Sequence, residues 1–166
     1  MDTLTDLARQ LGERLKPQAA QVATAESCTG GGIAEAITRI AGSSAWFEAG
    51  YVTYSNTQKT AQLDVPRELF AEVGAVSREV VEAMVRGACR HSGARFGVAV
   101  SGIAGPDGGS PEKPVGTVWL AWADGEQVHA QRCQFPGNRD QVRHATVQVA
   151  LEGLIRLAAG ENPQRG

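Results

Sequence analysis

The sequence predicts a three-layer α/β/α domain with a mixed β-sheet, and three observations support this prediction. Segments with helical periodicity alternate along the chain with short runs of β-branched and aromatic residues. Asp124-Gly125 separates two such runs, which indicates a β-hairpin late in the chain. Alternation favours parallel strands joined by helices, whereas a hairpin adds antiparallel strands, so we expect a mixed sheet with helices on both faces.

Periodicity and capping signals place the individual elements. The first helix has leucines at helical spacing from Leu4 to Leu15 and ends at Lys16-Pro17. The later helices are predicted over residues 33–42, from the cap Ser55 onwards, and over 66–74, 77–93 and 138–159. The strands are predicted over residues 21–25, 47–54, 96–101, 115–123 and 128–135. We expect residues 1–160 to form a single domain and residues 161–166 to form a frayed, polar tail.

Length, charge and cysteine content narrow the class of protein. A chain of 166 residues with 42% apolar and 20% charged residues is typical of one soluble domain. A net charge of -2 argues against binding to nucleic acid or to a membrane surface. Three widely spaced cysteines and three scattered histidines predict reduced thiols, no metal site and a cytoplasmic location. We therefore expect a protein that needs no cofactor.

Ser27 is a candidate nucleophile because it lies between a predicted strand and a glycine-rich helix start. In α/β sheets, ligands bind at the carboxyl ends of strands. Unpaired N–H groups of residues 28–31 can stabilise an oxyanion, and Gly30 and Gly31 allow a ligand to approach the backbone closely. Two alternatives stay open: Ser27 is only a helix cap, or the neighbouring Cys28 is the nucleophile.

Lys59 is the candidate base for this serine, since a hydroxyl nucleophile needs a proton acceptor. It lies near the first turn of the helix capped by Ser55, where the positive helix end disfavours an ammonium group. Partial burial would lower the pKa of Lys59 further. Tyr54, at the end of the preceding strand, can orient the lysine or relay a proton. The alternative is a solvated lysine beside a tyrosine at the rim.

The segment of residues 102–114 is a candidate binding loop, because it is long and contains four glycines. Backbone N–H groups in glycine-rich turns such as those at Gly102 and Gly105 can bind anions, and Lys113 adds a positive charge. Ser101 supplies a hydroxyl at the end of the preceding strand. The alternative is an ordinary surface loop.

Arg139 and Arg143 are candidate ligands for a phosphate group. They are one helical turn apart near the start of a predicted helix, so they share a face and can clamp one anion. The alternative is a solvated basic face that pairs with Asp140.

Several motifs in order resemble the CinA C-terminal domain family over about residues 4–158. They are Glu26-Ser27-Cys28-Thr29-Gly30-Gly31, Tyr54-Ser55-Asn56 with Lys59, Gly74-Ala75-Val76-Ser77, Gly102-Ile103-Ala104-Gly105-Pro106, and Lys113-Pro114-Val115-Gly116-Thr117. The resemblance implies an α/β/α fold, a homodimer, and hydrolysis of nicotinamide mononucleotide, a small-molecule nucleotide, to nicotinate mononucleotide and ammonia. One departure is visible, because Ser101 stands where the family usually has threonine.

The resemblance also implies roles for individual residues. Ser27 matches the nucleophile, Lys59 the base and Tyr54 an assisting tyrosine of the family. The implied substrate-binding residues are Thr29, Gly30, Gly31, Ser101, Gly102, Gly105, Lys113, Arg139 and Arg143. Some family members are described as competence or damage-inducible proteins, so a non-catalytic protein that binds a nucleotide or a protein partner is the alternative function. An amidase for a different amide is a further alternative.

Overall fold

The computed structural model describes residues 2–165 and contains a five-stranded sheet with the order β2-β1-β3-β4-β5. The strands are β1 (Val22–Glu26), β2 (Phe47–Val52), β3 (Phe96–Gly102), β4 (Thr117–Asp124) and β5 (Gln127–Gln134). The helices are α1 (Thr3–Leu15), α2 (Gly32–Thr38), α3 (Asn56–Leu63), α4 (Glu68–Glu72), α5 (Arg78–Ser92) and α6 (Arg139–Ala158). Two short 3-10 helices cover Lys16–Gln18 and Ser43–Ala45.

The sheet is mixed, as the sequence predicts. Strand β1 lies between β2 and β3 and is parallel to both, whereas β3–β4 and β4–β5 are antiparallel pairs. The β4–β5 pair is the predicted hairpin, with Asp124 opposite Gln127 at its turn.

Helices cover both faces of the sheet, which confirms the three-layer α/β/α architecture. Helices α1, α2 and α6 contact one another on one face, while α3 and α4 pack against α5 on the other. Successive side chains of β4 point to opposite faces of the sheet, so this strand packs against both helix layers. Leu120 and Trp122 belong to the core on the α6 side, and Ala121 and Ala123 belong to the core on the α5 side.

The topology gathers the candidate site at one edge of the sheet. The parallel strands β1, β2 and β3 have their carboxyl ends at that edge, and the antiparallel strand β4 begins there. Strand β1 extends through Glu26, which the sequence pattern placed in the turn. Strand β4 begins at Thr117, two residues later than predicted, because Thr117 N–H closes a turn by donating to the Pro114 carbonyl at 3.0 Å.

The end of the chain lies against β5. Pro163 is buried, the Gln164 side chain donates to the Ala130 carbonyl at 2.5 Å, and Arg165 is 2.9 Å from Glu152. These contacts involve part of the segment predicted to be a frayed tail, whose last residue, 166, lies outside the described residues. The single domain and the frayed tail stay predictions. Within residues 2–165, no helix is both long and apolar enough to cross a membrane.

Candidate active site

The structure brings the predicted nucleophile and the predicted base together. Ser27 follows β1 directly, and Lys59 lies in α3, which begins after Ser55 caps the Gln58 N–H at 3.1 Å. Lys59 Nζ lies 3.0 Å from Ser27 Oγ although 32 residues separate them. Lys59 is 1% exposed and Ser27 is 8% exposed, so the contact is shielded from bulk water.

The surroundings of Lys59 favour an uncharged amine. Its second polar contact is the Tyr54 backbone carbonyl, 3.1 Å from Nζ. No carboxylate among residues 2–165 forms an ion pair with this amine. Burial lowers the pKa of Lys59, since the charged form loses its hydration there. The amine can therefore accept a proton from the adjacent hydroxyl.

The hydroxyl of Tyr54 contacts Arg139 and not Lys59. The Tyr54 side chain is 62% exposed, and its oxygen accepts a hydrogen bond from Arg139 Nη2 at 3.1 Å. Arg139 Nη1 also donates to the Gly105 carbonyl at 2.8 Å. This bridge borders a cavity of about 240 Å³ whose lining includes Cys28, Tyr54, Gly102, Ile103, Ala104, Gly105, Asp107, Gly108 and Arg139. The predicted loop therefore forms a wall of the candidate site.

Arg143 lies over the turn that follows Ser27. Its Nη2 donates to the Thr29 carbonyl at 3.2 Å, and its Nε is buried without a hydrogen-bond partner. Within the described part of the chain, neither Arg139 nor Arg143 is paired with a carboxylate. Both guanidinium groups therefore retain a positive charge that an anionic substrate group can neutralise.

The turn after Ser27 contains backbone N–H groups that have no backbone acceptor within residues 2–165. Gly30 and Gly31 have φ angles of 59° and 102°, in the left-handed region that favours glycine. This curvature lets Gly30 N–H donate to the Ser27 carbonyl at 3.1 Å. The amides of Cys28 and Thr29 donate no hydrogen bond to another backbone group within residues 2–165. These two N–H groups are therefore available to a developing oxyanion.

Three of the predicted binding residues do not line the 240 Å³ cavity. The Lys113 ammonium donates to the Val73 carbonyl at 2.6 Å, on the α5 side of the sheet, and does not line the 240 Å³ cavity. Ser101 is 2% exposed within β3. The Thr29 hydroxyl is buried and donates to Glu26. Direct substrate contacts from these side chains stay predictions, for which the described geometry offers no support.

Cys28 is unsuited to be the nucleophile. Its side chain is buried, and burial raises the pKa of its thiol to about 12. A thiolate is the reactive form of cysteine, so this environment suppresses it at neutral pH. Of the two neighbouring side chains, only Ser27 has a proton acceptor within hydrogen-bond distance.

Glu26 holds the turn of the candidate site, a role that the sequence analysis did not identify. Its carboxylate accepts hydrogen bonds from the Thr29 hydroxyl at 2.5 Å, from Ile33 N–H at 2.8 Å and from Ala34 N–H at 3.0 Å. Burial raises the pKa of Glu26, and these donors oppose the rise. The side chain thereby caps α2, whose N-cap Gly31 has no side chain to do so, and fixes the turn that carries Ser27.

We expect Glu26→Gln to lower the free energy of unfolding by about 1–3 kcal/mol, because the amide NH2 group would face the N–H of either Ile33 or Ala34 and leave that donor unsatisfied. Urea denaturation measures this change. The matched control is Glu35→Gln, which removes an exposed carboxylate of the same helix that is paired with Arg39. The control should lose less than about 1 kcal/mol. Equal losses in the two variants would contradict the capping role of Glu26.

The described chain offers no cluster for a metal ion. Within residues 2–165, no three His, Cys, Asp or Glu side chains lie close enough together to hold one.

Comparisons with known proteins identify the family of this chain. The model of the CinA C-terminal domain matches residues 4–158. Nicotinamide-nucleotide amidohydrolase PncC of Pseudomonas putida is 71% identical over 95% of this chain and 98% of its own length. PncC of Escherichia coli K12 is 53% identical over 91% of this chain and 92% of its own length. The crystal structure of competence/damage inducible protein CihA from Agrobacterium tumefaciens superposes with a TM-score of 0.92 at 47% identity, covering 95% of this chain and 96% of that one. The chain therefore belongs to the CinA C-terminal domain family.

Proposed function

We propose that this protein is a nicotinamide-nucleotide amidohydrolase that converts nicotinamide mononucleotide to nicotinate mononucleotide and ammonia. The observation that carries the proposal is the buried 3.0 Å contact between Ser27 Oγ and Lys59 Nζ, next to residues Cys28 and Tyr54 that line the 240 Å³ cavity. Relatives of 71% and 53% identity that cover nearly the whole chain bear the name of this activity and support the choice of substrate.

In the first half of the reaction, Ser27 Oγ attacks the carboxamide carbon of the substrate. Neutral Lys59 accepts the hydroxyl proton as the new C–O bond forms. The carbonyl oxygen of the substrate becomes an oxyanion, which the amides of Cys28 and Thr29 stabilise. The Lys59 ammonium then donates its proton to the amide nitrogen, the C–N bond breaks, and ammonia leaves an ester on Ser27.

In the second half, a water molecule takes the place of ammonia. Lys59, neutral again, accepts a proton from this water as the water oxygen attacks the ester carbon. The resulting tetrahedral intermediate expels the Ser27 oxygen, which regains the proton from Lys59. The product forms as a carboxylic acid, which releases its proton to solvent to become the carboxylate, and the enzyme is unchanged.

The phosphate group of the substrate supplies binding energy away from the reacting carbon. Arg139 borders the cavity and Arg143 lies over the nucleophile turn, and neither has a carboxylate partner among the described residues. Ionic contacts to a remote phosphate hold the amide in the orientation for attack. The substrate thus needs a planar amide at one end and an anion at the other.

We expect Arg143→Ala to raise KM for nicotinamide mononucleotide by about 10- to 100-fold, the range for loss of a charge-assisted hydrogen bond. KM for the phosphate-free riboside should change little, because the riboside has no anion for Arg143 to bind. Steady-state ammonia release with both substrates measures this split. Arg156→Ala, on the same helix but in contact with Pro163 near the chain end, is the control. Equal KM changes for both substrates would remove Arg143 from phosphate binding.

The test of the proposed function is ammonia release from purified protein supplied with nicotinamide mononucleotide. Release of ammonia from other amides but not from this nucleotide would favour the alternative amidase. Absence of ammonia with every amide of a panel would favour the non-catalytic alternative, a nucleotide- or protein-binding member. The homodimer and the cytoplasmic location stay predictions from the sequence.

A further inference from the structure

A second cavity lies on the α5 side of the sheet, away from the Ser27–Lys59 pair. Its volume is about 380 Å³, within the range of small-molecule sites. Its lining consists of Val73, Val76, Ser77, Arg78, Glu79, Lys113, Trp119 and Arg132. Trp119 provides an aromatic wall: the Arg78 guanidinium carbon lies 5.2 Å from its ring centroid, and Arg132 is its cross-strand partner on β5.

The cavity carries an excess of positive charge. Arg78, Lys113 and Arg132 contribute three positive groups, and Glu79 contributes one negative group. None of the three cations forms an ion pair with a carboxylate in residues 2–165. Two of them donate to backbone carbonyls, which are neutral. Lys113 Nζ donates to the Val73 carbonyl at 2.6 Å, and Arg132 Nη2 donates to the Glu112 backbone carbonyl at 2.8 Å.

This arrangement suits an anion attached to a planar ring. Like charges gathered at one cavity repel one another, and a bound phosphate relieves the repulsion through charge-assisted hydrogen bonds. The half-buried indole of Trp119 borders the cavity, and an aromatic ring that takes the place of the Arg78 guanidinium over its face would stack on it. We propose that this cavity binds a nucleotide, with its phosphate on Arg132 and Lys113 and its base beside Trp119.

The proposed nucleotide site shares a structural element with the candidate active site. The loop of residues 103–116 supplies Gly105 and Gly108 to the 240 Å³ cavity and Lys113 to this one. A ligand that draws Lys113 away from the Val73 carbonyl therefore acts on the same loop that borders the substrate.

Tryptophan fluorescence with adenosine monophosphate as the probe tests the proposed nucleotide site. Trp46 and Trp122 are 1% and 0% exposed, so a change in emission on binding reports Trp119. We expect saturable quenching that Trp119→Phe abolishes. Arg132→Gln should raise the Kd by about tenfold or more, as expected for loss of a charged hydrogen bond. Arg14→Gln, an exposed arginine of α1, is the matched control and should bind like the wild type.

Two ligand controls and one protein control make the proposal falsifiable. Adenosine and inorganic phosphate should each bind at least about tenfold more weakly than adenosine monophosphate, since each lacks one of the two recognised groups. Phosphate that binds as tightly as the nucleotide would overturn the role of the aromatic wall. A signal lost in Arg139→Ala but kept in Arg132→Gln would place the ligand in the candidate active site and overturn the second site.

Discussion

Replacing Ser27 with alanine should reduce the rate of ammonia release from nicotinamide mononucleotide by about 10⁴-fold or more, the scale seen when a serine hydrolase loses its nucleophile. The variant retains the Cys28 and Thr29 amides, so substrate binding should persist while the covalent step fails. Cys28 cannot substitute, because burial raises the pKa of its thiol to about 12. Single-turnover kinetics with enzyme in excess over substrate measure the chemical step directly.

The Ser27→Ala variant should remain folded, which makes the loss of rate interpretable. The side-chain contact of Ser27 with Lys59 is a single hydrogen bond, and removal of one such bond costs about 1 kcal/mol. Thermal unfolding checks this expectation, and Ser44→Ala, an exposed serine remote from the pair, is the matched control. A variant at residue 27 that releases ammonia at the wild-type rate would end the proposal that Ser27 is the nucleophile.

The meeting of Ser27 and Lys59 could be predicted because backbone rules determine it. Both residues follow strands whose parallel carboxyl ends share one edge, and Ser55 fixes the start of α3. The family resemblance pointed to the same pair. The consecutive glycines at residues 30 and 31 already indicate a turn in the sequence, and the structure shows both of them with positive φ angles.

Side-chain directions could not be predicted in the same way, because they depend on packing between distant segments. Lys113 stands in a glycine-rich loop that borders the candidate site, yet its ammonium reaches Val73, 40 residues earlier in the chain. Tyr54 provides its backbone carbonyl to Lys59 and its hydroxyl to Arg139. A signal did exist for Glu26: it is an acidic residue at a strand end, one short turn before the start of α2, and an acidic group is a stabilising partner for the N-terminal N–H groups of a helix.

Lys59→Met should reduce kcat by about 10² to 10⁴-fold, the contribution of a positioned general base. The rate of the wild type should rise with pH as Lys59 loses its proton, and burial places that rise below the pH expected for a free lysine. The methionine variant should lose this dependence on pH. Lys16→Met, which removes an exposed lysine at the end of α1, should retain both the rate and the pH profile.

Lys59→Met should also raise the free energy of unfolding. The buried amine of Lys59 has no carboxylate partner, so protonation is less favourable in the folded chain than in the unfolded chain, and methionine removes this cost. Since burial lowers the pKa of Lys59, the unfolded chain binds more protons than the folded chain between the folded pKa and the ordinary value of 10.5. The free energy of unfolding of the wild type therefore increases as pH rises through that window. Below the window, the full cost of burying Lys59 lowers the stability of the wild type. Urea denaturation across pH should show the methionine variant more stable by a margin that is largest at low pH and shrinks towards pH 10.5. A margin independent of pH would mean that Lys59 is not held as a neutral amine, and the proposed proton transfer from Ser27 would lose its physical basis.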